Sequence, residues 1–123
     1  MKVVLAQFNA TVGDLAGNAA LIAQLARAAH AQGAQVVLTP ELALSGYPPE
    51  DLLLRPAFMK GCRDTLAALA SELADCEGLH VVVGHPHQLG ERGDVRSKSH
   101  QVHKRLNAAP VLARGRVVAT SCK

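Results

Sequence analysis

Aromatic side chains are almost missing from this chain: Phe8, Tyr47 and Phe58 make up 2% of 123 residues, and there is no tryptophan. A core must therefore be built from Ala, Val and Leu. A nucleic-acid surface would also lack the aromatic platforms on which bases stack. Cysteine is scarce as well. Cys62, Cys76 and Cys122 form neither a CxxC pair nor an even disulfide framework, which fits a reducing compartment. No apolar run approaches the about 18 residues of a membrane-spanning helix, and Met1-Lys2-Val3-Val4-Leu5 is too short for a signal peptide. These absences predict a cytoplasmic protein with no membrane partner. The net charge of +3 is small and gathers between Arg92 and Arg116, together with His100 and His103. With no aromatics interleaved, that segment reads as a solvated loop and not as a nucleic-acid site.

What is present is an alternation of short apolar runs and helical periods. Val3 to Phe8 reads as a first strand, near-continuously apolar and hence buried on both faces. Turn chemistry follows to Gly17, and either Asp14 or Asn18 can cap a helix over Asn18 to Gln32. There Leu21, Ile22, Leu25, Ala26 and Ala29 keep a 3.6-residue period, and Gly33 suits the position just past the end. A strand at Gln35 to Leu38 completes β-α-β, the signature of a parallel pair. A second helix is expected from Pro56, its apolar stripe being Met59, Cys62, Leu66, Leu69 and Leu73. Cys62 on that stripe reads as a packed thiol, and Cys76 as a thiol at a frayed helix end without an activating neighbour. Leu79 to Gly84 is a third strand. His85-Pro86-His87 at its end has no third ligand at a diagnostic metal spacing, so a structural or solvent-exposed role is the simpler reading. Gly90 to Arg105 reads as a surface loop. Ala108 to Ala113 and Arg116 to Thr120 form a hairpin about Arg114-Gly115, with Pro110 demoting its first strand to an edge. The whole pattern is α/β, in one domain.

The densest chemistry lies between Thr39 and Pro56. Thr39-Pro40 ends the second strand, because Pro40 has no amide hydrogen for a ladder. Glu41 thus stands just past a strand end, where ligands and catalytic groups collect in open α/β sheets. The leucines around it predict a buried loop, in which a carboxylate needs partners. From position alone, Glu41 is equally well a paired structural carboxylate or a capping residue.

The string Pro40-Glu41-Leu42-Ala43-Leu44-Ser45-Gly46-Tyr47-Pro48-Pro49-Glu50-Asp51-Leu52 resembles the glutamate loop of the carbon–nitrogen hydrolase (nitrilase) superfamily. More narrowly, it is similar to the loop in the glutaminase domain of glutamine-dependent NAD synthetases. Gln7-Phe8-Asn9, Val12-Gly13-Asp14-Leu15, Gly17-Asn18, Val83-Gly84, Asn107-Ala108-Ala109 and Gly115-Arg116-Val117 extend the resemblance over essentially the whole chain. It implies part of a four-layer α-β-β-α sandwich and a Glu–Lys–Cys triad. Glu41 is then the general base and Lys123 the cation that stabilises the charged intermediate, though a terminal lysine is otherwise a solvated end. Tyr47 is placed in the substrate pocket by the same carry-over, against the alternative of a packed aromatic.

The family's Leu-Pro-Asn-Tyr segment, its nucleophilic cysteine and its synthetase domain do not follow Lys123, and none of the three cysteines sits in the nucleophile's context. Residues 1–123 are accordingly expected to be the N-terminal portion of such a domain, inactive alone and left with bare sheet faces. No cofactor is expected in this portion. ATP and magnesium are implied for the synthetase domain, glutamine and deamido-NAD as substrates, and a homo-oligomer for the intact enzyme. Two alternatives stand beside this: a stand-alone amidase or nitrilase of the same superfamily, and a non-catalytic assembly module of the same fold.

Overall fold

The computed structural model describes residues 1–49, 52, 54–88 and 105–122. In chain order the elements are β1 (Val3–Leu5), α1 (Leu15–Ala31), β2 (Val36–Leu38), α2 (Pro56–Glu72), β3 (His80–Val82), β4 (His85–Gln88), β5 (Arg105–Ala113) and β6 (Arg116–Cys122). The architecture is α/β, as the alternating pattern predicts. Strands β1, β2 and β3 are parallel neighbours, and β5 runs antiparallel to β3 and β4 on one side and to β6 on the other. Among the described residues no helix is long and apolar enough to cross a membrane.

The core lies between one sheet face and the two helices. Val37, Val81 and Leu112 point from β2, β3 and β5 into a cluster with Ile22, Ala23, Ala26 and Ala29 of α1 and Leu66, Leu69 and Ala70 of α2. Alanine on α1 lets that helix approach closely, which is how a chain poor in aromatics fills its interior. Cys62 is fully buried in α2, and burial pushes its thiol up to about 11, so the packed-thiol reading holds. Cys76 departs from expectation: α2 ends at Glu72, and Cys76 lies buried in the turns beyond, with an Arg27 Nη1 donor 3.8 Å from its sulfur. Burial still dominates and raises this thiol too, against the opposing effect of Arg27.

Three further expectations are corrected. Strand β1 is only Val3–Leu5, and Val3 and Leu5 are 49% and 66% exposed; among the described residues it is an edge strand covered on one face, not two. Helix α1 begins at Leu15, because Asp14 accepts the Gly17 amide at 2.9 Å and is the cap. Strand β5 is interior despite Pro110. The Val83 amide donates to the Pro110 carbonyl at 3.0 Å, and in an antiparallel pair both backbone groups of a residue face the same neighbour. The donor that Pro110 lacks therefore faces the Val83-Gly84 break between β3 and β4, where the ladder stops anyway. The predicted turn is present, with Arg114 and Gly115 both at positive φ (55° and 79°), the pair of signs that a tight two-residue hairpin needs. His85-Pro86-His87 belongs to β4, and His85 is 2% exposed, so it is a buried strand residue and not a solvent-exposed one. Most of the predicted basic loop lies outside the described residues, while Arg105 already belongs to β5.

Candidate active site

The break between β3 and β4 is filled by the loop that carries Glu41. The Thr39 amide and hydroxyl both donate to the Val82 carbonyl at 3.0 Å, and the Gly84 amide donates to Thr39 Oγ1 at 3.0 Å. The Leu44 amide then donates to the Gly84 carbonyl at 3.0 Å. The loop thus takes over hydrogen bonds that a continuous strand would have given to the sheet. Gly84 permits this approach: a Cβ there would lie 2.1 Å from the Pro40 carbonyl oxygen and 2.6 Å from the Leu42 amide nitrogen.

A second clamp comes from α1. Asn18, 3% exposed, donates through Nδ2 to the Leu44 carbonyl at 2.9 Å and to the Thr11 carbonyl at 2.8 Å, while its Oδ1 accepts the Thr11 amide at 2.9 Å. Asn18 is therefore not the helix cap but the tie between the residue 9–17 turn and the glutamate loop. Gly46 closes the same contact at φ 79°, where a Cβ would lie 2.7 Å from the Val12 backbone. Leu42, next to Glu41, takes a left-handed φ of 52° although it is not glycine. That conformation costs about 1–2 kcal/mol and persists where surrounding contacts over-determine it, as they commonly do beside functional groups. Here the buried Leu42 side chain and the Gly46 amide bond to the Leu42 carbonyl at 2.9 Å hold it.

Glu41 itself is exposed, not buried as the leucine-rich surroundings predict; Leu42 to Gly46 are the buried part. Its carboxylate accepts a hydrogen bond at Oε1 from Nδ2 of Asn107 on β5. It stands between two cavities. One, of about 250 Å³, is walled by Thr39, Pro40, Gly84, Asn107, Ala109 and Ser121. The other, of about 150 Å³, is walled by Phe8, Asn9, Ala10 and Tyr47. Tyr47 is 69% exposed, so it is not a packed core aromatic, and it shares a cavity with Glu41. The described residues lining both cavities include no basic side chain. Lys123 lies outside the described residues, although Ser121, two positions earlier, lines the larger cavity. Among the described residues no cluster of three or more His, Cys, Asp or Glu could hold a metal.

Asn107, Asn18 and Gly84 were not marked as site residues by sequence reasoning. A signal existed for Asn107, a residue type depleted from strands yet placed between Leu106 and Ala108 in an apolar run. Gly84 closing a run of three valines was a similar hint.

Glu41 is thus a carboxylate just past a strand end, between two small cavities. The carbon–nitrogen hydrolase family matches residues 2–120. The glutamine-dependent NAD(+) synthetase of Synechocystis is 40% identical over 116 residues, covering 94% of this chain and 19% of that protein. That of Xylella fastidiosa is 46% identical over 91 residues, or 73% and 16%. Among solved structures, the Acinetobacter baumannii glutamine-dependent NAD+ synthetase is 29% identical with a TM-score of 0.74, across 98% of this chain and 20% of that one. An amidase from Nesterenkonia is 28% identical with a TM-score of 0.74, across 100% and 42%. The chain thus spans about a fifth of the length of the synthetases it matches. Matched along nearly all its residues in sequence and in fold, it belongs to the carbon–nitrogen hydrolase family.

Proposed function

We propose that residues 1–123 are the N-terminal portion of the glutamine-hydrolysing domain of a glutamine-dependent NAD synthetase, with Glu41 as general base. The observation that carries this is Glu41 itself, pinned at the end of β2 by the loop's bonds to Gly84 and facing a cavity on either side. In that reading Glu41 takes the proton of a thiol supplied by later residues, and the thiolate attacks the side-chain amide carbon of glutamine. The carbonyl oxygen becomes anionic and needs positive charge, the role given to Lys123. The C–N bond then breaks as Glu41 returns the proton to the leaving nitrogen, releasing ammonia and a thioester. Water hydrolyses the thioester to glutamate and restores the thiol. Tyr47 lines the glutamine pocket.

A Nesterenkonia amidase variant takes the acetamide moiety of fluoroacetamide covalently at its active-site cysteine, which supports a nucleophilic thiol in that enzyme. Ammonia would feed a synthetase portion that converts deamido-NAD to NAD with ATP and magnesium, both bound outside these residues. Free thiols at Cys62, Cys76 and Cys122 fit a cytoplasmic setting, and a homo-oligomer is proposed for the intact enzyme.

The test is Glu41→Gln in the complete protein that carries this chain. Glutamine-driven NAD formation is expected to fall at least about 100-fold, in the range for loss of a general base, while formation driven by added ammonium continues. Glutamine-driven turnover near the wild-type rate would sink the assignment. The second reading, a stand-alone amidase, draws on full coverage of this chain by the Nesterenkonia enzyme. It predicts hydrolysis of simple amides and no ammonium-driven NAD formation.

A further inference from the structure

Glu41 does not meet its cavities as a free carboxylate. Its Oε1 accepts from Nδ2 of Asn107, a residue 66 positions later in the chain. An ionised carboxylate only accepts, so the Asn107 group facing it must be the amide nitrogen, and the amide cannot titrate. The two partners are fixed by different parts of the fold. Glu41 is held by the loop packed on Gly84, and Asn107 by its register opposite Pro86 in the antiparallel β4–β5 pair. Both line the larger cavity, where the neighbouring Ala109 and Ser121 are small and leave the space open.

From this geometry we infer that Asn107 is a positioning residue for the Glu41 base, holding Oε1 so that Oε2 is left to accept and return the proton. The inference rests on the general-base reading above. Its chemistry is specific to a neutral donor. A guanidinium in the same place would pair with the carboxylate bidentately and occupy both oxygens. Asn107 binds one oxygen and carries no charge, so the other oxygen keeps a free lone pair. Asparagine is also a poor strand former, which argues that its place in β5 is set by what its side chain holds.

The experiment uses the complete protein and the variants Asn107→Asp and Asn107→Ala, with Glu41→Gln as reference. Aspartate keeps the shape but sets a second acceptor against Glu41. Glutamine-driven kcat is expected to fall about 10- to 100-fold for either variant, the range for losing a hydrogen bond to a charged group. KM should stay within about threefold, because binding is not what the bond serves. Because Asn107 acts through Glu41, the double variant E41Q/N107D should be no slower than E41Q by more than about twofold. An N107D or N107A protein with near wild-type kcat overturns the inference, and so does a double variant far below E41Q. A loss shared equally by kcat and the melting temperature in N107D, but absent from N107A, also overturns it, since the effect would then be one of folding. Should E41Q keep its glutamine-driven rate, the general-base reading itself fails, an outcome separate from any of these.

Discussion

One absent carbon atom decides where Glu41 stands. At Gly84 any side chain would meet the Pro40 carbonyl and the Leu42 amide, both backbone atoms that cannot swing aside. Gly84→Ala must therefore push the loop off the sheet, costing about 1–3 kcal/mol as overpacking does and moving the carboxylate out of reach of Asn107. Urea denaturation of the variant should show a lower midpoint, and glutamine hydrolysis in the complete protein should fall with it. An unchanged midpoint would mean that the close approach is not needed. The position of Glu41 past a strand end was legible, since Val36-Val37-Leu38-Thr39-Pro40 states the strand and its stop in consecutive residues. The role of Gly84 was not, because it depends on a contact across more than forty positions that no local pattern encodes. Glu41's exposure was misread for a related reason: the leucines beside it turn inward through a left-handed Leu42, and periodicity does not report a single positive φ.

At the scale of elements, the two helices are tied end to end by Arg27. From just before the last turn of α1 it donates through Nη2 to the Glu72 carbonyl at 2.6 Å, at the last residue of α2, and pairs with both oxygens of Asp75 at 3.0 and 3.1 Å. One of the carbonyls that a helix end leaves without an internal partner is thereby satisfied. The hydrogen bond and charge of Arg27 hold the Asp75 carboxyl below the usual carboxylate value. A carboxyl depressed in the folded state contributes stability that is present above its unfolded value of about 3.9 and is lost as pH falls through the lower folded one. Asp75→Asn should therefore melt below the wild type at neutral pH, with the gap closing as the pH drops under about 4. Added salt should shrink the gap too, because the pair is exposed. A gap independent of pH would show that the charge on Asp75 is not what matters. Both helices were legible from their periods and from Pro56 and Gly33. Arg27 was not, being an ordinary polar position on α1 whose partners lie 45 and 48 residues away.

For the whole molecule, the consequence of two layers is a sheet with one face covered by the described residues. Val37, Val81 and Leu112 point into the helices, while Leu5, Leu38, Val82 and Val111 fall in register across the other face from β1 to β5. Leu5 is 66% exposed, and Val117 and Val118 on β6 are 40% and 36% exposed. Near-continuous apolar strands are the mark of a sheet meant to be covered twice, and a second sheet is what the sandwich of this family would place there. The near-continuous apolar run at the start of the chain suggests a strand buried on both faces, but β1 is not, and no described element supplies the second cover. Taken by itself, residues 1–123 should associate through this face and bind a hydrophobic dye. Leu5→Lys should reduce both, because a charge opposes stacking of sheet faces. It should alter monomer stability by no more than about 0.5 kcal/mol, since the side chain packs on little in the monomer. Sedimentation velocity across a concentration series separates the outcomes. Wild-type material that grows in size with concentration, against a smaller L5K species of equal melting temperature, assigns the association to the bare face. A wild type that stays monomeric at every concentration and binds no dye would mean that a single covered face suffices for this sheet.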